Sequence, residues 1–161
     1  MDLDNLFELA KSCLEKNDFR VAVTKRVFKL AKQNFLAKTE LEELTFTSIV
    51  LHDIGGSIIK DQYEKGQQIS AAILEKLGCP NLFIKQVCEI IGTQHEPLGN
   101  PSEPFKKLYD FDKLVMFSTE EYRHYNSSKG FDWSGIITLL YDKQAKQLAE
   151  NLLTRRKKEQ A

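Results

Sequence analysis

Residues 39–56 read TELEELTFTSIVLHDIGG, and this stretch decides how the rest of the chain is read. Thr39-Glu40-Leu41-Glu42 fits a capping box, in which a hydroxyl and a carboxylate three residues apart satisfy backbone N–H groups that a helix start leaves without partners. The pattern predicts a helix that starts after this box, runs to His52-Asp53 and stops at Gly55-Gly56, because paired glycines end helices readily.

Outward from this segment, apolar residues recur at spacings of three and four, the helical period. Upstream, one helix covers about residues 3–16 and ends near Asn17-Asp18. A second begins at Phe19 with Asp18 as its N-cap and carries the stripe Val23, Val27, Leu30, Ala31. Downstream, a helix over roughly 61–77 ends at Gly78-Cys79-Pro80. Another, over roughly 81–95, carries Ile84, Val87, Cys88, Ile91 and His95. Glu96-Pro97-Leu98-Gly99-Asn100-Pro101 is a loop of strong breakers. Ser102 and Pro104 open a sixth helix with the stripe Phe105, Leu108, Tyr109, Asp112, Val115, Met116. Tyr125 to Trp133 reads as a loop, and a last helix runs from about Ser134 to Arg155-Arg156-Lys157-Lys158. Alternating runs and hairpin turns, the marks of strands, are absent. The expectation is an all-α fold: one compact domain over residues 1–161, a bundle of about six to seven helices joined by short loops.

A chain of 161 residues can bury a core without disulfides or a structural metal. Lysine plus arginine and aspartate plus glutamate both total 23, so the net charge is zero. That balance argues against a dedicated nucleic-acid binder, which carries a basic surplus. A small phosphorylated ligand needs only a local positive field and stays open. Cys13, Cys79 and Cys88 form no CxxC pair, so reduced thiols in a cytosolic protein are expected and a structural zinc site is not. The acidic Met1-Asp2-Leu3-Asp4-Asn5 start lacks the basic and apolar regions of a signal peptide, and no apolar run is long enough to span a membrane. A cytoplasmic protein with no membrane partner is expected.

Several polar residues stand where apolar ones belong. Asp112 falls on the apolar stripe of its helix, where a carboxylate is costly unless paired or bound to a metal. His95 extends an apolar stripe, and His52-Asp53 closes a helix just before two glycines. Imidazoles and carboxylates together suit a divalent cation such as manganese, iron, magnesium or zinc. Taken singly, each has an ordinary explanation. A histidine at a helix end is more often a cap or a satisfied core residue than a ligand, and Arg26 or Lys113 could serve as a salt-bridge partner for Asp112.

The joint pattern is more specific. Leu51-His52-Asp53-Ile54-Gly55 resembles the His-Asp-Ile-Gly core of the HD superfamily of divalent-metal phosphohydrolases. Leu108-Tyr109-Asp110-Phe111-Asp112-Lys113-Leu114 resembles that family's final Asp-x-Asp-Lys-Leu helix. Thr24-Lys25-Arg26-Val27, Gln67 to Leu74 and Ile91-Gly92-Thr93-Gln94-His95 resemble intermediate segments in the expected order, so the likeness covers roughly residues 19–120. By that resemblance His52, Asp53 and Asp112 are metal ligands. The family's remaining ligand, a histidine on the second helix, falls at Val23, which cannot ligate. A second frequent family histidine falls at Gly66.

The resemblance implies metal-assisted attack of water on a phosphomonoester or nucleotide phosphate. Asp53 would orient the water as well as ligate. Lys113 and Arg26 are candidates for neutralising phosphate charge, His95 for contacting substrate or substituting as a ligand, and Asp61 for protonating the leaving group. The loop Gln94-His95-Glu96-Pro97-Leu98-Gly99-Asn100-Pro101 resembles the His-His-Glu loop of the HD-GYP branch, but it lacks the first histidine and the Gly-Tyr-Pro triplet, so cyclic dinucleotide cleavage is not expected. Walker-type loops, GxGxxG and GxSxG elbows are absent. The aromatic residues Tyr122, Tyr125, Phe131 and Trp133 read as packing for the last helix or a lid, and the basic run 155–158 as a solvated helix end. The expected partner is a small phosphorylated substrate or nucleotide, with a homodimer as an option. Two other readings stand beside the enzyme: a catalytically degenerate HD domain that binds a ligand or regulates, and a helical interaction module whose His-Asp pair is coincidence.

Overall fold

The computed structural model describes residues 1–14, 18–34, 39–55, 59–94 and 99–161, with the side chains of 18–20, 31, 32, 34 and 59–62 left aside. Every regular element among these residues is helical, as the periodicity predicts. The chain gathers into two compact units, Met1–Leu108 and Tyr109–Ala161.

The first unit holds α1 (Leu3–Leu14), α2 (Asp18–Asn34), α3 (Glu40–Leu51), α4 (Ile59–Lys76), α5 (Asn81–Thr93) and the start of α6 (Glu103–Leu114). Its centre is α3, which packs against α1, α2 and α5. Every residue from Leu44 to Ile54 is buried, so α3 is a core helix enclosed on all sides rather than an amphipathic surface one. Two of its buried hydroxyls are satisfied locally, since Thr45 donates to the Leu41 carbonyl at 2.6 Å and Ser48 to that of Leu44 at 2.9 Å, while the buried Thr47 hydroxyl makes no hydrogen bond among the described residues. The expected cap is present: Thr39 Oγ1 accepts from the Glu42 N–H at 3.2 Å. The helix ends at Leu51, slightly before the glycines, and His52 to Gly55 form a turn. On α2, Val23, Thr24 and Val27 are buried, as the stripe predicts, while Leu30 is half-buried and Ala31 lies outside the described side chains. The Asp18 cap also falls on a side chain outside that set.

Helices α4 and α5 pack along each other. The turn between them is a Schellman motif: the Gly78 N–H donates to the Glu75 carbonyl and the Cys79 N–H to that of Leu74, both at 3.0 Å. Gly78 has φ +72°, a left-handed conformation that a side chain strains.

The second unit begins inside α6 and continues through a 3₁₀ turn (Val115–Phe117), α7 (Thr119–Asn126), α8 (Trp133–Leu139) and α9 (Lys143–Glu159). The described residues thus form nine α-helices, more than the six to seven expected. Two features account for the excess. Ser118 leaves the helical conformation, so α7 starts afresh at Thr119 with Glu120 and Glu121 in its first turn, where negative charge suits the helix dipole. The expected last helix also breaks at Leu140, and Asp142 recaps it by accepting from the Gln144 N–H at 3.0 Å.

That break is held from α6. Asp110 Oδ1 accepts from the Tyr141 N–H at 2.7 Å and Oδ2 from the Asp142 N–H at 2.9 Å. Trp133 stacks on Tyr122 at 4.7 Å and meets Phe117 and Phe131 at 4.9 and 4.7 Å. The aromatic group therefore packs within this unit. Arg156 departs from its expected solvated role. It is buried and donates through Nε to the Phe117 carbonyl at 3.1 Å and through Nη1 to Thr119 Oγ1 at 2.7 Å, tying α9 to the 3₁₀ turn. Among the described residues no helix is long and apolar enough to cross a membrane.

Candidate functional site

The core position of α3 fixes the surroundings of His52 and Asp53. Both sit in the turn that ends the helix, and both are buried, at 1% and 3% exposure. His52 Nδ1 lies 2.6 Å from the Ile49 carbonyl oxygen. That oxygen can only accept, so Nδ1 carries a proton and the ring orientation is fixed. The other nitrogen, Nε2, lies 3.2 Å from Asp53 Oδ2. The turn is also held from α5, where the buried Gln94 donates through Nε2 to the His52 carbonyl at 2.8 Å. Gln94 was not singled out from sequence; no sequence pattern marks a carboxamide that binds a backbone oxygen 42 residues away.

Val23 is buried on the inward face of α2, with Thr24 and Val27 beside it. Gly66 is buried on α4 beside the His52–Gly55 turn. A Cβ at that position would meet the Ile91 Cγ2 at 3.4 Å and the Gly55 nitrogen at 3.5 Å. Arg26 is half-buried on α2. Asp61 lies on α4 with its side chain outside the described set, and His95 lies outside the described residues altogether.

In the second unit, the sequence reading of α6 requires a correction. Asp112 does not lie on the inward stripe. The buried positions are Pro104, Phe105, Leu108, Asp110, Phe111, Leu114 and Val115, which puts Asp110 inside and leaves the Asp112 side chain 36% exposed. Taking Tyr109 rather than Phe111 as a core residue set the stripe one position out of phase. Burial pushes the Asp110 carboxyl above the ordinary range, and the Tyr141 and Asp142 N–H groups pull it back down. Asp112 Oδ2 lies 3.9 Å from Lys113 Nζ, too long for a strong charge-assisted hydrogen bond. Lys113 Nζ lies 5.1 Å from the Tyr109 ring centroid, within cation–π range. Burial, with Tyr141, Asp112 and Asp110 nearby, raises the Tyr109 hydroxyl.

The structure thus joins His52 to Asp53 in the first unit and places Asp112 beside Lys113 in the second. Among the described residues no three His, Cys, Asp or Glu side chains gather into a metal-holding group. The His52–Asp53 pair by itself fits a cation. Two ligands about 2.1 Å from one ion lie about 3.0 Å apart at right angles and about 3.4 Å apart at a tetrahedral angle, and 3.2 Å falls between these. The same distance suits an imidazolium–carboxylate pair. No protein-family model, curated protein or solved structure matches the chain.

Proposed function

We propose that the protein is an HD-like, divalent-metal-dependent phosphohydrolase acting in the cytoplasm on a small phosphorylated metabolite or nucleotide. The observation that carries the proposal is the state of His52. Metal-ligating histidines commonly donate the second ring N–H to a carbonyl, which fixes the tautomer and leaves the other nitrogen to ligate. His52 makes that contact with Ile49 and holds Nε2 at ligand spacing from Asp53. In this reading His52, Asp53 and Asp112 hold manganese, iron, magnesium or zinc. Such an ion polarises a phosphoryl oxygen and acidifies water. Asp53 orients the water, Arg26 and Lys113 neutralise phosphate charge, His95 contacts the substrate and Asp61 serves the leaving group. Residues 19–120, which carry the resemblance, run through the first unit and into the second.

Phosphate release from a panel of phosphomonoesters and nucleotides, with manganese or iron supplied, tests the proposal. Release should be metal-dependent and fall at least about 100-fold in Asp53→Ala, the scale of losing an essential ligand. A panel on which the parent chain releases no more than the variant would refute it.

A second reading, a degenerate HD domain that binds a ligand without turnover, is favoured by Val23 and Gly66. The first is a buried aliphatic side chain and the second a buried glycine, at the positions where the resemblance expects histidines. It predicts a rise in melting temperature with a nucleotide or phosphate ester and no release.

A further inference from the structure

The first unit carries an exposed apolar groove at the start of α3, the end of that helix opposite His52 and Asp53. A cleft of about 710 Å³ between the start of α3 and the start of α5 is lined by Leu41, Leu44, Leu82, Phe83 and Gln86, among others. It continues into a second cleft of about 300 Å³ that shares Leu41, Leu44 and Gln86 and ends at Pro104-Phe105. Five large apolar side chains are well exposed among the described residues, and three of them, Met1, Leu41 and Leu82, lie along this groove. Leu82 is 69% exposed and Leu41 42%. Scattered apolar side chains need no explanation, but a contiguous patch marks an interaction surface.

The charged side chains of the lining have one sign. Glu40, Glu43 and Glu89 border the groove, and its described lining contains no lysine or arginine. This occurs in a chain whose net charge is zero, so the acidity is local. The amine of Met1 is paired with Glu43, while Glu40 and Glu89 are exposed at the rim. An occupant must therefore combine an apolar face with positive charge. The walls are helices, and among the described residues there is no strand edge to pair with an extended peptide. A helix brings its backbone hydrogen bonds with it and asks only for side-chain contacts. Along α5 the lining positions Leu82, Gln86, Ile90 and Thr93 follow one face. They extend over roughly 16 Å, about three helical turns.

We propose that the α3–α5 groove docks a basic amphipathic helix of a partner protein. Its apolar residues would fill the space beside Leu41, Leu82 and Phe83, and its lysines or arginines would face Glu40 and Glu89.

The test uses the full chain and two labelled helical peptides of about 16 residues, one of leucine and lysine and one with each lysine replaced by glutamate, read by fluorescence anisotropy near physiological salt. Sedimentation of the chain alone is measured in parallel. The expected result is saturable one-to-one binding of the lysine peptide and about tenfold or weaker binding of the glutamate peptide. Leu82→Glu, and separately the pair Glu40→Lys with Glu89→Lys, should each weaken the lysine peptide about tenfold. These positions are exposed, and circular dichroism checks that each variant keeps its helices. The proposal is overturned if no saturable binding occurs, if Leu82→Glu binds as tightly as the parent, or if both peptides bind equally. It is also overturned if the chain forms a dimer that Leu82→Glu disperses, since a second copy is then the occupant.

Discussion

Gln94 and Asp110 each hold a backbone segment by a buried polar side chain, and each makes a prediction at the scale of one residue. The Gln94 carboxamide donates to the His52 carbonyl. In Gln94→Leu that buried oxygen loses its donor, which costs about 1–3 kcal/mol. The loss should appear as a lower urea midpoint with an unchanged slope, and an unchanged midpoint would show that the contact contributes nothing. Asp110 offers two oxygens to two N–H groups. In Asp110→Asn one of those N–H groups faces an NH₂ instead, so stability should fall by about 1–3 kcal/mol near neutral pH. The pH dependence has a definite sign. Burial raises the folded-state pKa of Asp110. The folded chain therefore holds that proton more firmly than the unfolded chain. Wild-type stability should decline as pH rises from the ordinary carboxylate range, about pH 4, through the raised value. Asp110→Asn lacks this component, and chemical denaturation across that interval measures the difference. The same residue shows where sequence reading stopped. The Asp-x-Asp spelling offered two carboxylates, and a stripe placed through Tyr109 chose Asp112 as the inward one. Placed through Leu108, Phe111 and Leu114, all buried, the helical period leaves Asp110 and Asp112 equally far to either side, and only the contact of Asp110 with the Tyr141 and Asp142 N–H groups separates them.

At the scale of elements, local chemistry was legible where one residue decides an end. Thr39 caps α3, and Gly78 ends the α4 segment in the left-handed conformation. Gly78→Ala should cost about 1–2 kcal/mol through that backbone strain alone, since a Cβ there meets nothing within 4 Å. A cost near zero would mean that the turn relaxes to another form. The breaks after residue 114 were harder to read. Ser118 is followed by Glu121 in capping-box spacing, a signal for α7 that the helical period on either side overrode. The break at Leu140 depends on Asp110, a contact across 31 residues that no local window contains. Arg156 was hidden for a similar reason: its neighbours Arg155, Lys157 and Lys158 are exposed, and only the tertiary position of the Phe117 carbonyl separates it from them.

At the scale of the whole molecule, an all-helical chain was legible because helical periodicity runs nearly end to end, while the division into two units was not. The boundary at Leu108 falls inside α6, where composition and pattern do not change. The proposed function rests on His52, Asp53 and Asp112 serving as ligands of one ion. The most direct test of that claim is the metal content of the purified chain by elemental analysis after incubation with manganese or iron, beside His52→Ala and Asp112→Ala. The account predicts about one ion per chain in the parent and none in either variant. No bound metal in the parent, or metal that persists in both variants, would contradict it.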